Sequence, residues 1–153
     1  MSKFLTELPR PFYAFAIGTS EPVKQWGREN YTALATEIIK EGRGVLLLGG
    51  PNEADFAREI EEGVPENLRR GIASLTNATI LESAAALSLA RACVGNDTAA
   101  PNIAAACGRP AYVILGPRQL INHDPLIHLF IAPKLSDVLV ETVLAHIQSD
   151  GVS

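Results

Sequence analysis

The side chains able to do chemistry fall in short stretches of the 153-residue chain. Asp97 and Thr98 sit in Gly95-Asn96-Asp97-Thr98-Ala99-Ala100-Pro101-Asn102, a polar corner between an apolar run and a small-residue run. Where a strand ends and a helix begins, such a corner offers a carboxylate, a hydroxyl and backbone N–H groups to a ligand. Asp97 or Thr98 serves equally as a simple helix cap. Gly18-Thr19-Ser20 follows the first apolar run, and its hydroxyls and N–H groups suit a phosphate that Lys24 would neutralise. A solvated loop with an exposed lysine is the plainer account of the same residues. Glu53 opens a helix after the second apolar run, where dinucleotide folds place an acid that accepts from ribose hydroxyls. A surface acid placed for the helix dipole fits it as well.

The elements that must position these residues alternate. Apolar runs at 12–17, 45–48, 72–75, 92–95, 111–115 and 128–132 read as buried strands. Helical spacing appears at Tyr31, Leu34, Ala35, Ile38 and Ile39, with Gly42 as the stop. Asn52 caps a second helix running to about residue 62. Thr79 and Glu82 form a capping box for a third, to about residue 91, with Leu81, Leu87 and Leu89 among its apolar residues. A small-residue helix follows Thr98 and ends before Gly108, and Ser136 caps a last one with Leu139, Val140, Val143, Leu144 and Ile147. Alternation of this kind gives an α/β chain, a Rossmann-like doubly wound parallel sheet, here expected as one domain over 1–153. The expected strand order is 3-2-1-4-5-6. It sets the loops 18–27 and 96–101 across one crevice and makes Lys24 and Asp97 neighbours.

Composition narrows the function. The chain is 47% hydrophobic with a net charge of −4, and no basic cluster marks a nucleic-acid partner. Cys93 and Cys107 both lie in apolar surroundings and read as two buried thiols, without disulfide or metal. No HExxH or paired CxxC spacing supports a metal. The absence of GxGxxG, GxxxxGK[ST] and GxSxG disfavours a nicotinamide dehydrogenase, a P-loop NTPase and an α/β-hydrolase, and no cofactor is expected. Trp26 reads as a loop anchor before a stacking platform. His123 beside Asp124 is suited to acid–base work but reads first as a surface residue. His128 and His146 read as structural or exposed. No leader and no run of 18 apolar residues is seen, so a soluble cytoplasmic protein is expected.

Taken in order, Lys24-Gln25-Trp26, Val45-Leu46-Leu47-Leu48-Gly49-Gly50-Pro51-Asn52-Glu53, Gly95-Asn96-Asp97-Thr98, Ala104-Ala105-Ala106-Cys107-Gly108-Arg109-Pro110 and Leu115-Gly116-Pro117 form a series. It resembles the donor-binding half of the ADP-heptose:lipopolysaccharide heptosyltransferase family, glycosyltransferase family nine, with a GT-B fold. The resemblance runs from Phe12 to Pro117. It implies a site for an ADP-sugar such as ADP-heptose, in an inverting, metal-independent transferase of lipopolysaccharide-type glycan synthesis. In that family Lys24 would match the lysine that contacts the diphosphate and stabilises it as it leaves. Thr19 and Ser20 would match the first loop, Glu53 the ribose-holding acid, and Asp97 and Thr98 the start of the Asp-[Ser/Thr]-Gly-x-x-His corner. Lys24 and Asp97 are then the catalytic candidates.

Two positions depart from the family pattern. Its glycine is Ala99 here, whose methyl crowds a close backbone approach, and its histidine is Asn102, which donates a hydrogen bond but carries no charge. Pro101 also removes an N–H from the first helical turn. The resemblance further implies an acceptor-binding N-terminal half that supplies the general base, so that this chain alone turns over little substrate. Its expected partners are therefore a nucleotide-sugar donor and either that acceptor half or a second copy, at the inner face of the inner membrane. The alternative is a non-catalytic nucleotide-binding or protein-interaction module that kept the fold and lost the chemistry. An exposed apolar patch facing the missing half would favour a covering partner.

Overall fold

The computed structural model describes residues 8–18, 25–96, 98–116, 125–131 and 138–150. Six strands, β1 (Phe12–Ala16), β2 (Gly44–Leu48), β3 (Ile72–Leu75), β4 (Ala92–Asn96), β5 (Ala111–Gly116) and β6 (Ile127–Ile131), alternate with five helices. The helices are α1 (Arg28–Lys40), α2 (Ala54–Gly63), α3 (Ile80–Leu89), α4 (Ala99–Ala106) and α5 (Val140–Asp150). All strand pairs are parallel, in the order β3-β2-β1-β4-β5-β6. That is the order expected from the sequence. Strand β1 is central: Ala16 lies beside Leu48 of β2 on one side and Gly95 of β4 on the other.

The continuous apolar runs are explained by burial on both faces. Alternate residues of each strand enter one of two cores. Under α1, α2 and α5 lie Tyr13, Phe15, Ile17, Val45, Leu47, Val94, Tyr112 and Ile114, packed against Tyr31, Leu34, Ile38, Ile60, Val143 and Ile147. Under α3 and α4 lie Phe12, Ala14, Ala16, Leu46, Leu48 and Cys93, packed against Ala86, Leu87 and Ala104. Trp26 is buried in the first core, meets Tyr31 edge-on at 5.1 Å and donates its indole N–H to Val138 O at 2.9 Å. It anchors the chain ahead of α1 onto the chain ahead of α5.

Helix boundaries follow local chemistry. The Thr79–Glu82 capping box forms: Glu82 N–H donates to Thr79 Oγ1 at 3.1 Å, and Thr79 N–H to Glu82 Oε1 at 3.0 Å. Gly42 and Gly108, with φ of +85° and +79°, supply the left-handed residues after α1 and α4. Several expectations shift. Asn52 does not cap α2. A 3-10 turn, Pro51–Glu53, intervenes, and α2 starts at Ala54. Helix α3 stops at Leu89, and Ile80 and Leu81 at its start are 79% and 82% exposed. Leu139 precedes α5 and is 55% exposed, while Ser136 lies outside the described residues. Cys93 is buried but Cys107 is exposed, because it follows the last turn of α4 where the chain leaves the core. Among the described residues no helix is long and apolar enough to cross a membrane.

Candidate functional site

At the carboxyl ends of β1, β2 and β4 the face carrying α3 and α4 opens into a crevice of about 670 Å³. Ligands bind at this edge of parallel sheets because the chain diverges there on either side of the switch between β1 and β4. Its lining comes from four pieces of chain. Ala16 and Gly18 end β1; Leu48 and Gly49 end β2. Asn52 and Glu53 come from the turn that follows β2, and Thr98, Ala99, Ala100 and Ile103 from the start of α4. Ala78, Ile80, Ser83 and Leu87 of the α3 region close the remaining side. Small residues dominate the meeting points, and the space they leave is the crevice.

Glu53 is held by its own turn. Its N–H donates to Gly50 O at 3.0 Å, and its Oε1 accepts from Gly50 N–H at 3.4 Å. The carboxylate lies against Gly18, and a side chain at that position would push Oε1 aside. An acid therefore stands between the ends of β1 and β2, close beside Gly18. Thr98 has extended backbone before α4 and makes no capping hydrogen bond, so for Thr98 the simple cap reading fails. The N-terminus of α4 directs the positive end of its dipole to the same wall. Glu53, Thr98 and Ala99 thus come together at one crevice. Asn102 is exposed on α4 and is not among the lining residues. Thr19, Ser20, Lys24, Asp97, His123 and Asp124 lie outside the described residues. His128 stacks on Tyr112 at 4.9 Å, and His146 is exposed with its ring edge on Phe130.

Sequence reasoning missed Asn96. It ends β4 with its side chain 0% exposed, the one buried amide or charged side chain among the described residues. Its Oδ1 accepts from Trp26 N–H at 3.0 Å and Tyr31 Oη at 2.9 Å. Its Nδ2 donates to Ile17 O at 3.1 Å, Gly18 O at 3.4 Å and Gln25 Oε1 at 3.1 Å. The only signal in the sequence is a polar residue closing an otherwise apolar strand just before the polar corner. Around it burial shapes the titrating groups. Burial, then the neighbouring Cys93, holds the Tyr31 phenol well above its ordinary range, while burial pushes the Cys93 thiol up to about 12.

A larger groove of about 960 Å³ runs between α1, α2 and α5 on the other face. Glu29, Glu37, Glu59, Glu62 and Glu141 line it against Arg28, which is already bridged to Glu59 at 3.4 Å. That charge repels an anionic ligand, so the crevice at the strand ends is the candidate site. Among the described residues no cluster of His, Cys, Asp or Glu could hold a metal.

Comparison with known proteins agrees with the fold. The model of glycosyltransferase family 9 (heptosyltransferase) matches residues 2–131. Lipooligosaccharide heptosyltransferase 2 of Haemophilus influenzae is 34% identical over 119 residues, which are 76% of this chain and 34% of that protein. Lipopolysaccharide heptosyltransferase 2 of Salmonella typhimurium is 32% identical over 129 residues, 83% of this chain and 37% of that protein. The structure of E. coli ADP-heptose lipopolysaccharide heptosyltransferase II superimposes with a TM-score of 0.84 at 25% identity, covering 92% of this chain and 46% of that one. E. coli heptosyltransferase WaaC, solved with ADP-2-deoxy-2-fluoro heptose, shares the fold with a TM-score of 0.79 at 24% identity, covering 97% of this chain and 47% of that one. The chain spans roughly a third of the length of the curated relatives it matches. On a family match over most of its length and relatives above 30% identity, the chain belongs to glycosyltransferase family 9, the heptosyltransferases.

Proposed function

We propose that this chain is the donor-binding half of a family 9 glycosyltransferase and holds an ADP-sugar of the ADP-heptose type for transfer in lipopolysaccharide-type glycan synthesis. The observation that carries this reading is the crevice at the strand ends, where Glu53 meets the start of α4. The family match and the heptosyltransferase relatives support it. Glu53 accepts from the ribose hydroxyls, as acids at this place in dinucleotide folds do. Lys24, with Thr19 and Ser20, neutralises the diphosphate. Asp97 and Thr98 position donor groups at the helix start, and Ala99 stands in that wall where the family has glycine.

In transfer, an acceptor hydroxyl attacks the anomeric carbon as the carbon–oxygen bond to the diphosphate breaks. Lys24 stabilises the charge on the leaving diphosphate, an effect for which loss of one positioned donor costs on the order of 10²–10³ in rate. The acceptor and its general base come from a second, acceptor-binding half, so this chain alone transfers little sugar. Ile80, exposed although it lines the crevice, and the exposed Leu81 beside it in α3 favour a covering half over a free-standing module. The place of work is the cytoplasm, at the inner face of the inner membrane.

Calorimetric titration with ADP and UDP tests the reading. Saturable ADP binding is expected, weakened about tenfold or more by Lys24→Ala and Asp97→Ala, in line with loss of a charged hydrogen bond, and unchanged by Lys134→Ala. Restoring the family's glycine with Ala99→Gly should tighten it. Absence of binding at millimolar ADP, or equal effects of Lys24→Ala and Lys134→Ala, overturns the assignment.

A further inference from the structure

We infer that Asn96 is a positioning residue for the donor crevice: one buried amide ties both flanks of the segment between β1 and α1 to the end of β4. The inference rests on the donor-site reading for its functional half and on geometry alone for its structural half. The chemistry of the partners dictates the residue type. Trp26 N–H can only donate, so the oxygen must face it; the carbonyls of Ile17 and Gly18 can only accept, so the NH₂ must face them. Aspartate lacks the donor and leucine lacks both groups. A single side chain therefore holds Gly18 before residues 19–24 and Gln25 and Trp26 after them. Gln25 reinforces the tie, its Nε2 donating to Ile17 O at 2.9 Å and its Oε1 accepting from Gly27 N–H at 3.2 Å.

Gly18 is also the residue against which the Glu53 carboxylate rests. The placement of Gly18 by Asn96 thus sets the wall on which Glu53 stands, although Asn96 itself points to the opposite face of the sheet. The remaining bond, from Tyr31 Oη, reaches α1 rather than Gly18, Gln25 or Trp26, and the same hydroxyl also lies 3.5 Å from Ala16 O in β1. That difference separates positioning from mere core packing.

Asn96→Asp keeps an acceptor for Trp26 and Tyr31 but turns an anion on the carbonyls of Ile17 and Gly18. Its ADP dissociation constant should rise about tenfold at pH 7 and recover as acidification protonates the carboxyl and restores a donor. Tyr31→Phe should lower the melting temperature and leave ADP affinity within about twofold, because it removes the hydroxyl's bonds to Asn96 Oδ1 and Ala16 O and leaves those that hold Gly18, Gln25 and Trp26 in place. If both variants lose ADP affinity in proportion to their melting temperatures, with no recovery at lower pH, Asn96 is a core residue and the inference falls. Amide exchange of the ligand-free protein judges the structural half. In Asn96→Ala the Trp26 amide should exchange at least about tenfold faster while Leu46 and Leu47 in β2 are unchanged. Retained protection of Trp26 in a folded Asn96→Ala overturns the tie. Should that variant fail to fold, the pH recovery of Asn96→Asp decides. Failure of the unsubstituted chain to bind ADP would instead remove the donor site and leave exchange to judge the tie.

Discussion

Under α1, α2 and α5 the sheet presents Tyr13, Phe15, Leu47 and Tyr112; under α3 and α4 it presents Ala14, Ala16, Leu46 and Cys93. The first face is thick with rings, including the Phe15–Tyr31 pair at 5.8 Å and the Trp26–Tyr31 pair at 5.1 Å, each such contact adding about 0.5–1.5 kcal/mol beyond area burial. The second is thin, with alanines of α3 and α4 packed close to alanines of β1. The crevice opens on the thin face, and the Asn96 network sits on the thick one. One side of the sheet supplies rigidity, and the other leaves room for a ligand. They meet at Gly18, which is held from one side and lines the cavity on the other.

The sharpest way to break this comparison is to exchange the volumes. Phe15→Ala should cost about 3–5 kcal/mol in denaturant unfolding, whereas Ala86→Leu on the thin face should cost about 1–3 kcal/mol by overpacking. If Ala86→Leu is tolerated without loss, the thin face is loosely packed and the contrast is wrong. A smaller effect reads the dryness of the two cores. The Cys93 thiol, at about 12, is raised above the ordinary unfolded value of about 8.5. Its contribution to stability is therefore fully present below about pH 8.5 and is lost as pH rises toward 12. Tyr31, raised as well, adds to the same alkaline loss. Unfolding measured across this range should show the fall, and Cys93→Ala should flatten it; an unchanged alkaline limb would mean that water reaches the thiol.

The smallest effect concerns the start of α3 alone. Thr79→Ala should cost about 1 kcal/mol. The hydrogen bonds from the Thr79 backbone and side chain hold the Glu82 carboxyl below its usual value, so its contribution is present above the ordinary carboxylate range and lost as pH falls. The acid limb of the stability curve should shift in Thr79→Ala while the alkaline limb stays in place.

Strand order and the two-faced burial were legible because the runs at 12–17, 45–48 and 92–95 are apolar at every position, as strands covered on both faces must be. That the chain after β1 and the chain after β4 face one crevice, with Gly18 and Thr98 both in its lining, was legible for a topological reason, since strand ends at the switch point share one edge. What failed was orientation at helix ends. Periodicity marks a face but not where the face stops meeting the core, so Leu81, Leu139 and Cys107 were placed inside and stand exposed. Asn52 was misplaced because a 3-10 turn can precede a helix without changing its pattern. Asn96 was illegible because its partners lie 65 to 79 positions away, and nothing local announces them.

The same separation has a consequence for synthesis. Strand β1 leaves the ribosome before every other strand of the sheet, yet it takes the central place and is flanked on one side only by β4. Asn96 follows Ile17 by 79 residues, roughly 4–16 s of translation at ordinary rates of about 5–20 residues per second. Through that interval β1 and β2 can pair, but the β4 side of β1 stays an open edge of apolar residues. The nascent chain therefore needs protection on that edge until β4 emerges, and a pause in translation before residue 96 should raise its demand for chaperones.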